Sequence, residues 1–414
     1  MRIVNISSLY PPNIVGGAEQ GLKVMSDEMA RAGHDVHIIT LDGPKKPESN
    51  GSSVTVHPTP LKNLYWPFDQ QRHARSRVTK ALWHAIDTHN GLMASAVKTA
   101  LRNIQPDVVL TRNLQGFSTA VMPAVKQLGL PLVHVIHDFS LLCPQTSMFR
   151  NGKVCGQKDA RCTSCRLLTS WRWRHTNAAD AVIGVSRAVL DAHVDHGLFQ
   201  DAERTVIYNA LKPSLTIQSS VGHRDTSKPI RFGFLGRVEK AKGVETLLEA
   251  MRYLSSKDFD LEVVIAGNGD PAYIEGLKQQ YAEAPVEFAG YVDTAKFFNE
   301  IDVLVFPSEL REALGNGVFE AFSQGLPVIG STMGGIPESI EHLKNGMVFE
   351  AGNVMALADC MHMLGTFESS RASLAEAALA KSHEYQPAKR ANEYIDFLSR
   401  VVTKHSNLVA QAHG

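Results

Sequence analysis

No sign of charge dominates this chain of 414 residues: 42 Lys and Arg stand against 42 Asp and Glu. A general nucleic-acid binder shows a clustered basic face and a high pI, so the balance argues against that class of partner. Long apolar runs are also missing, and nothing approaches the roughly 18 residues of a membrane span. The opening stretch, MRIVNISSLY, breaks its strand-like run at Asn5 and two serines, where a secretory leader would continue it. No leader is expected; the expected location is the cytoplasm, with any membrane contact peripheral and on the inner face. Neither half has a G-x-G-x-x-G after its first strand-like run, which leaves a dinucleotide-dependent dehydrogenase with little support. The nearest match, GNGD from Gly267 to Asp270, reads as a strand-end turn.

What is present is enough apolar sequence, 44% of residues, for a large core, in a chain too long for one ordinary domain. Charge divides unevenly along it. Residues 1–210 carry 23 Lys and Arg against 16 Asp and Glu, or +7, which leaves 19 against 26, or −7, for the rest. Short buried-strand runs alternate with helical patterns throughout, as in parallel α/β sheets. The first series is RIVNIS, DVHIIT, DVVLT, PLVHVIH and AVIGVS; the second is IRFGFLG, LEVVIAG, VEFAGY, DVLVFPS and PVIGS. Two doubly wound α/β domains are expected, residues 1–210 and 230–386. The polar stretch 211–229 between them reads as a linker. A long helical pattern follows Pro387 and runs to the end at 414.

In α/β proteins the strand ends are where ligands bind. After the first strand, Gly16 and Gly17 open an amphipathic helix whose free N–H groups suit an anion, though for a lone Gly-Gly a plain turn and cap is the favoured reading. In the second half, FLGRVEKAKG sets Arg237 and Lys242 just past a strand end, where two cations suit a diphosphate. Lys240 beside them reads as a surface cation. The segment PSELREALGNGVFEAFSQG places Glu312 in a loop and Glu320 in the first turns of the next helix, so that both face one crevice. Carboxylates accept hydrogen bonds from hydroxyl pairs such as those of ribose or a hexose. Hydroxyls at both ends with phosphates between describe a sugar nucleotide. The plainer alternative is that Glu320 only favours the helix dipole and Glu312 is solvated.

Taken together, the Glu-x7-Glu pair Glu312 and Glu320, the GR…K of Gly236, Arg237 and Lys242, the MGGIPESI…NGMVF from Met333 to Phe349, the GGAE at Gly16 to Glu19 and the HD at His137 and Asp138 resemble glycosyltransferase family 4. They span nearly the whole chain in that family's order. The resemblance implies the GT-B architecture, two Rossmann-like domains facing across a cleft, with a C-terminal helix that crosses back onto the first. It implies a retaining glycosyltransferase that moves a hexosyl unit from a UDP- or GDP-sugar to a saccharide or lipid-linked acceptor. By the same resemblance Arg237 and Lys242 hold the pyrophosphate and Glu320 the ribose hydroxyls. Glu312 and the backbone of Leu314, Gly315 and Asn316 hold the transferred sugar and the diphosphate. Tyr291 and Val292 meet the base, His137 lies near the donor sugar, and Gly17 belongs to the loop over phosphate or acceptor. Leu314 stands where the family usually has an aromatic residue. Cations and helix N-termini stabilise the departing diphosphate, so no metal is required for catalysis. A nucleotide-sugar epimerase of the same fold and a non-catalytic sugar-nucleotide-binding subunit stay open as rivals.

Cys143, Cys155, Cys162 and Cys165 cluster in one segment. Cytosolic disulfides are uncommon, and four thiolates can build a structural zinc site; free thiols in an acceptor-side loop are the even alternative. Just beyond, RLLTSWRWRH sets Arg166, Arg172 and Arg174 among Trp171 and Trp173, and residues 70–80 add further cations. Basic residues with tryptophans suit an anionic membrane surface; a solvated helix with a buried Trp is the even alternative.

Overall fold

In the computed structural model of the protein, residues 1–46, 53–69, 75–144, 146–150, 152–155, 169–222 and 227–413 are described. Contacts divide the chain into two compact units. One comprises Met1–Ser147, Gly156–Ala210 and Pro387–Gly414; the other comprises Met148–Cys155 and Leu211–Gln386.

The first unit is built on a seven-stranded sheet. In spatial order its strands are Val54–Thr59, Asp35–Leu41, Arg2–Ser7, Val108–Thr111, Leu132–Ile136, Ala181–Gly184 and Glu203–Val206, every neighbouring pair parallel. Ile3, Val4, Ile6, Val108, Val109, Leu110, Val133 and Ile183 have essentially no exposed surface. Helices cover both faces of a parallel sheet, which is why its central strands are continuous apolar runs. The helix Gly17–Arg31 buries Leu22, Met25 and Met29. It packs beside the last helix, Pro387–His413, which returns to this unit and buries Ala391, Tyr394, Phe397, Leu398 and Val401.

The second unit has a six-stranded parallel sheet in the order Val286–Gly290, Leu261–Ala266, Ile230–Leu235, Val303–Phe306, Val328–Ser331 and Gly346–Phe349. In sequence order this is 3-2-1-4-5-6, the Rossmann order. Its direction reverses between Ile230–Leu235 and Val303–Phe306, and the carboxyl ends of those two strands are where such sheets hold ligands. The polar stretch after Ala210 belongs with this unit. Leu211 and Leu215 are buried, and backbone bonds tie Leu211 N to Tyr385 O at 2.8 Å and Gln218 N to Ser323 O at 2.9 Å.

Three strands go beyond the ten read from the sequence: Val54–Thr59, Glu203–Val206 and Gly346–Phe349. Each lies at a sheet edge. Phe149–Arg150 and Lys153–Val154 add a small antiparallel pair.

Candidate active site

At the switch point of the second sheet, Gly236 N donates to Ala266 O, and the chain then leaves the strand through Arg237. The Arg237 side chain is 71% exposed, with Glu239 3.8 Å away. A 3-10 turn, Lys240–Lys242, follows and ends at Gly243 in the left-handed region, φ 72°. A Cβ at Gly243 would lie 1.9 Å from Pro307 O, so only glycine lets this turn meet the loop after Val303–Phe306. That loop is clipped on by Glu309 N and Leu310 N, which both donate to Ala241 O.

The clip brings Lys242 and Glu312 together. Lys242 Nζ lies 2.5 Å from Glu312 Oε1, and the Ser308 hydroxyl donates to the same oxygen at 3.0 Å. The Glu312 backbone is fixed from the other side, because Gly335 N donates to its carbonyl at 2.9 Å. Gly334, φ 61°, packs so closely that a Cβ would sit 2.1 Å from that carbonyl oxygen. The glycines of MGGIPE therefore act as a backing for Glu312.

Glu320 is on the helix Asn316–Phe322, which starts at Gly315 in the left-handed region, and it is only 4% exposed. Its ion partner is Lys212, with Nζ 2.9 Å from Oε1. The two glutamates thus hold separate cations rather than one another. Lys212 was not among the residues singled out from the sequence; a single cation in a polar stretch gives no signal. Leu314 is buried at 2% and faces the core, so its replacement of an aromatic residue changes packing first. Tyr291 is 84% exposed, and Val292 is half-buried. Lys240 makes a surface ion pair with Glu245.

In the first unit, the loop before Gly17 differs from an open anion cradle. Glu19 folds its carboxylate back to accept from Gly16 N at 2.8 Å and Val15 N at 3.3 Å, so the chain's own acid occupies those donors. Burial raises the Glu19 pKa, against the lowering effect of these backbone bonds. His137, just past the strand Leu132–Ile136, accepts at Nε2 from Arg112 Nη1 at 2.7 Å. Burial, and then the Arg112 charge, hold the imidazole well below its usual pKa. Asp138 accepts from Ser140 N, and burial raises its pKa. Arg112 also escaped the sequence reading.

Of the cysteine cluster, Cys143 and Cys155 are free thiols, while Cys162 and Cys165 lie outside the described residues. Among the described residues no group of three or more His, Cys, Asp or Glu could hold a metal ion. Residues 169–176 are helical, and they divide the tryptophans. Trp173 Nε1 donates to Leu141 O at 2.7 Å, whereas Trp171 is 57% exposed with the Arg174 guanidinium 4.8 Å from its ring centre. Arg166 lies outside the described residues. No described helix is long and apolar enough to cross a membrane.

Two family descriptions match this arrangement in order: Glycosyltransferase Family 4 over residues 15–215 and Glycosyl transferases group 1 over residues 229–366. The chain is a GT-B glycosyltransferase of family 4. This transferase is 27% identical to an uncharacterized 42.6 kDa protein in the cps region of Klebsiella pneumoniae, over 83% of this chain and 89% of that one. It is also 27% identical to an uncharacterized glycosyltransferase of Methanocaldococcus jannaschii, over 84% of each. The crystal structure of Anabaena HepE in complex with UDP shares its fold, with a TM-score of 0.72 at 20% identity over 97% of this chain and all of that one.

Proposed function

We propose that this family 4 enzyme transfers a hexosyl unit from a nucleoside diphosphate sugar to a hydroxyl of a saccharide or lipid-linked acceptor, retaining the anomeric configuration and needing no metal. The observation that carries the reading is the convergence of Arg237, Lys242 and Glu312 on the switch point of the second sheet, with Glu320 buried on the helix that follows. Breaking the glycosyl–phosphate bond leaves the bonding electrons on the diphosphate oxygen. Arg237, largely exposed, and Lys242, held in place by Glu312, can meet that charge without reorganising. Glu320, already charge-balanced by Lys212, would accept hydrogen bonds from the ribose hydroxyls. In this reading the acceptor oxygen attacks the anomeric carbon from the face the diphosphate leaves, and a departing phosphate oxygen takes the acceptor's proton. HepE was solved with UDP, and also with UDP-glucose, which makes a UDP-sugar the first donor to test and a GDP-sugar the second.

Thermal unfolding in EDTA with UDP, GDP, ADP or NAD decides the donor class, because a ligand that binds only the folded state raises the midpoint. One nucleoside diphosphate is expected to raise it by itself. A shift with NAD alone, or with none of the four, would discard the assignment.

For the acceptor side we propose that the first unit rests on an anionic membrane surface. Trp171 beside Arg174, and Val78 and Leu82 on the helix Arg77–Thr88, expose apolar surface among cations. A lipid-linked acceptor would be met there. A structural zinc ion on Cys143, Cys155, Cys162 and Cys165 remains a proposal of the sequence alone, to be tested by metal analysis of protein purified without a histidine tag; its stoichiometric absence would remove it.

A further inference from the structure

Arg112 is a buried guanidinium, 4% exposed, at the carboxyl end of the strand Val108–Thr111. Among the described residues no carboxylate pairs with it. Its Nε donates to Asn5 Oδ1 at 3.2 Å, its plane lies 5.5 Å from the Tyr394 ring centre, and its Nη2 has no hydrogen-bond partner among the described residues. An unpaired charge so placed is costly, which raises the question of what keeps it there. Its shortest contact is Nη1 to His137 Nε2, at 2.7 Å.

That contact has one chemical interpretation. A guanidinium has donors and no acceptor, so Nε2 must present its lone pair. The ring's proton is then on Nδ1, and a second proton would set N–H against N–H beside a fixed cation. We propose that Arg112 is a positioning residue that locks His137 as the neutral Nδ1–H tautomer, so that the ring offers one fixed hydrogen-bond donor to a ligand oxygen. The geometry around the ring supports it. His137 stands at the carboxyl end of Leu132–Ile136, half-buried, and its Nδ1 has no partner among the described residues. Among the described residues the other titratable groups around it include the adjacent Asp138, whose Oδ1 accepts from Ser140 N, His134, whose Nδ1 lies 2.9 Å from Thr111 Oγ1 and whose ring stacks on Phe199, and, over Arg112, the buried Tyr394. Burial and His134 add to the Arg112 charge in holding the ring neutral. The role follows: His137 would orient a hydroxyl or ring oxygen and would not carry protons in turnover. The ligand in this statement rests on the proposed function; the tautomer does not.

Long-range 1H–15N spectra of the whole chain with 15N-labelled histidine test the lock, with the His137 signals assigned by their loss in His137→Gln. The wild-type ring is expected to keep Nδ1 protonated and Nε2 bare from pH 8 to 5.5. Arg112→Met should release it to a mixture of tautomers, and Arg112→Lys, which keeps a donor, should restore the Nδ1–H form. Donor turnover in Arg112→Met is expected to fall about tenfold, as for one lost hydrogen bond. The midpoint shift with the nucleoside diphosphate should persist in that variant. A wild-type ring that is Nε2-protonated or titrates near 6.5 would overturn the proposal, as would an unchanged tautomer in Arg112→Met. If Arg112→Met fails to fold, the wild-type spectrum decides alone. Failure of every nucleotide to bind would count against the donor assignment and leave the tautomer result standing.

Discussion

Removing the Lys242 ammonium would leave the Glu312 carboxylate with only the Ser308 hydroxyl among the described residues. Both side chains are mostly covered, 19% and 15% exposed, so leaving the carboxylate without its cation costs about 1–3 kcal/mol of stability. A preorganised charge aimed at a developing anion is worth more in rate, about 100- to 1000-fold. Lys242→Ala is therefore expected to lower the unfolding midpoint by about 2–12 °C and turnover by at least about a hundredfold. Arg237→Ala, altering a largely exposed side chain, should leave the midpoint in place and lose turnover on a similar scale. Calorimetry beside initial rates checks both, and near-normal rates in the two variants would remove these residues from the diphosphate site. Arg237, Lys242, Glu312 and Glu320 could be picked out of the sequence because each follows a local signal, a strand end or a helix start. Arg112 and Lys212 could not. Their importance comes from burial against His137 and Tyr394, or against Glu320, partners that only tertiary structure supplies.

Elements divide in the same way. Central strands such as Arg2–Ser7 and Ile230–Leu235 are buried on both faces, and that burial writes an apolar run into the sequence. Edge strands have no such requirement. Glu203–Val206 is half-solvated, with the sequence ERTV, and Val54–Thr59 carries Pro58, which an edge tolerates and a central strand does not. The helix Arg77–Thr88 was also beyond local reading, since its burial turns on two residues. Trp83 is covered, with Nε1 donating to Tyr65 O, and Asp87 accepts from Gly116 N while Arg172 lies 3.6 Å away. The Arg172 contact sets the Trp171 segment beside this helix. Val78 and Leu82, one turn apart, are 69% and 54% exposed. Inserting such a side chain into a bilayer interface is worth about 1.5–3 kcal/mol, or roughly a tenfold change or more in binding. Flotation with vesicles containing anionic phospholipid should carry the protein up and neutral vesicles should not. Trp171→Ser and Leu82→Asp should each weaken that binding by about tenfold with little change in stability. Equal flotation on neutral vesicles, or unchanged binding in both variants, would refute the membrane surface.

At the scale of the whole molecule, the chain leaves the first unit near Ala210, builds the second through Gln386, and returns as the helix Pro387–His413. The two series of strand signals made two α/β bodies readable, but the return rested on family resemblance, because an amphipathic helix does not say which sheet it serves. Its buried face contains Tyr394, Phe397, Leu398 and Val401 besides Ala391. Four large apolar side chains at about 1.5–3 kcal/mol each amount to about 6–12 kcal/mol. A whole domain has a net stability of about 5–15 kcal/mol. A chain ending at Gln386 is therefore expected to lose the cooperative unfolding of its first unit and to expose that unit to protease. Arg237, Lys242, Glu312, Glu320 and Lys212 all belong to the second unit, whose strands, helices and glycine-packed loops stay complete. If the nucleoside diphosphate site is built by that unit, the truncated chain should keep nucleotide affinity within about tenfold while transfer activity disappears. Limited proteolysis and titration calorimetry on the same preparation separate the outcomes. Loss of the first unit together with nucleotide affinity would mean that the binding residues need the returning helix, and the site would have to be redrawn to include it.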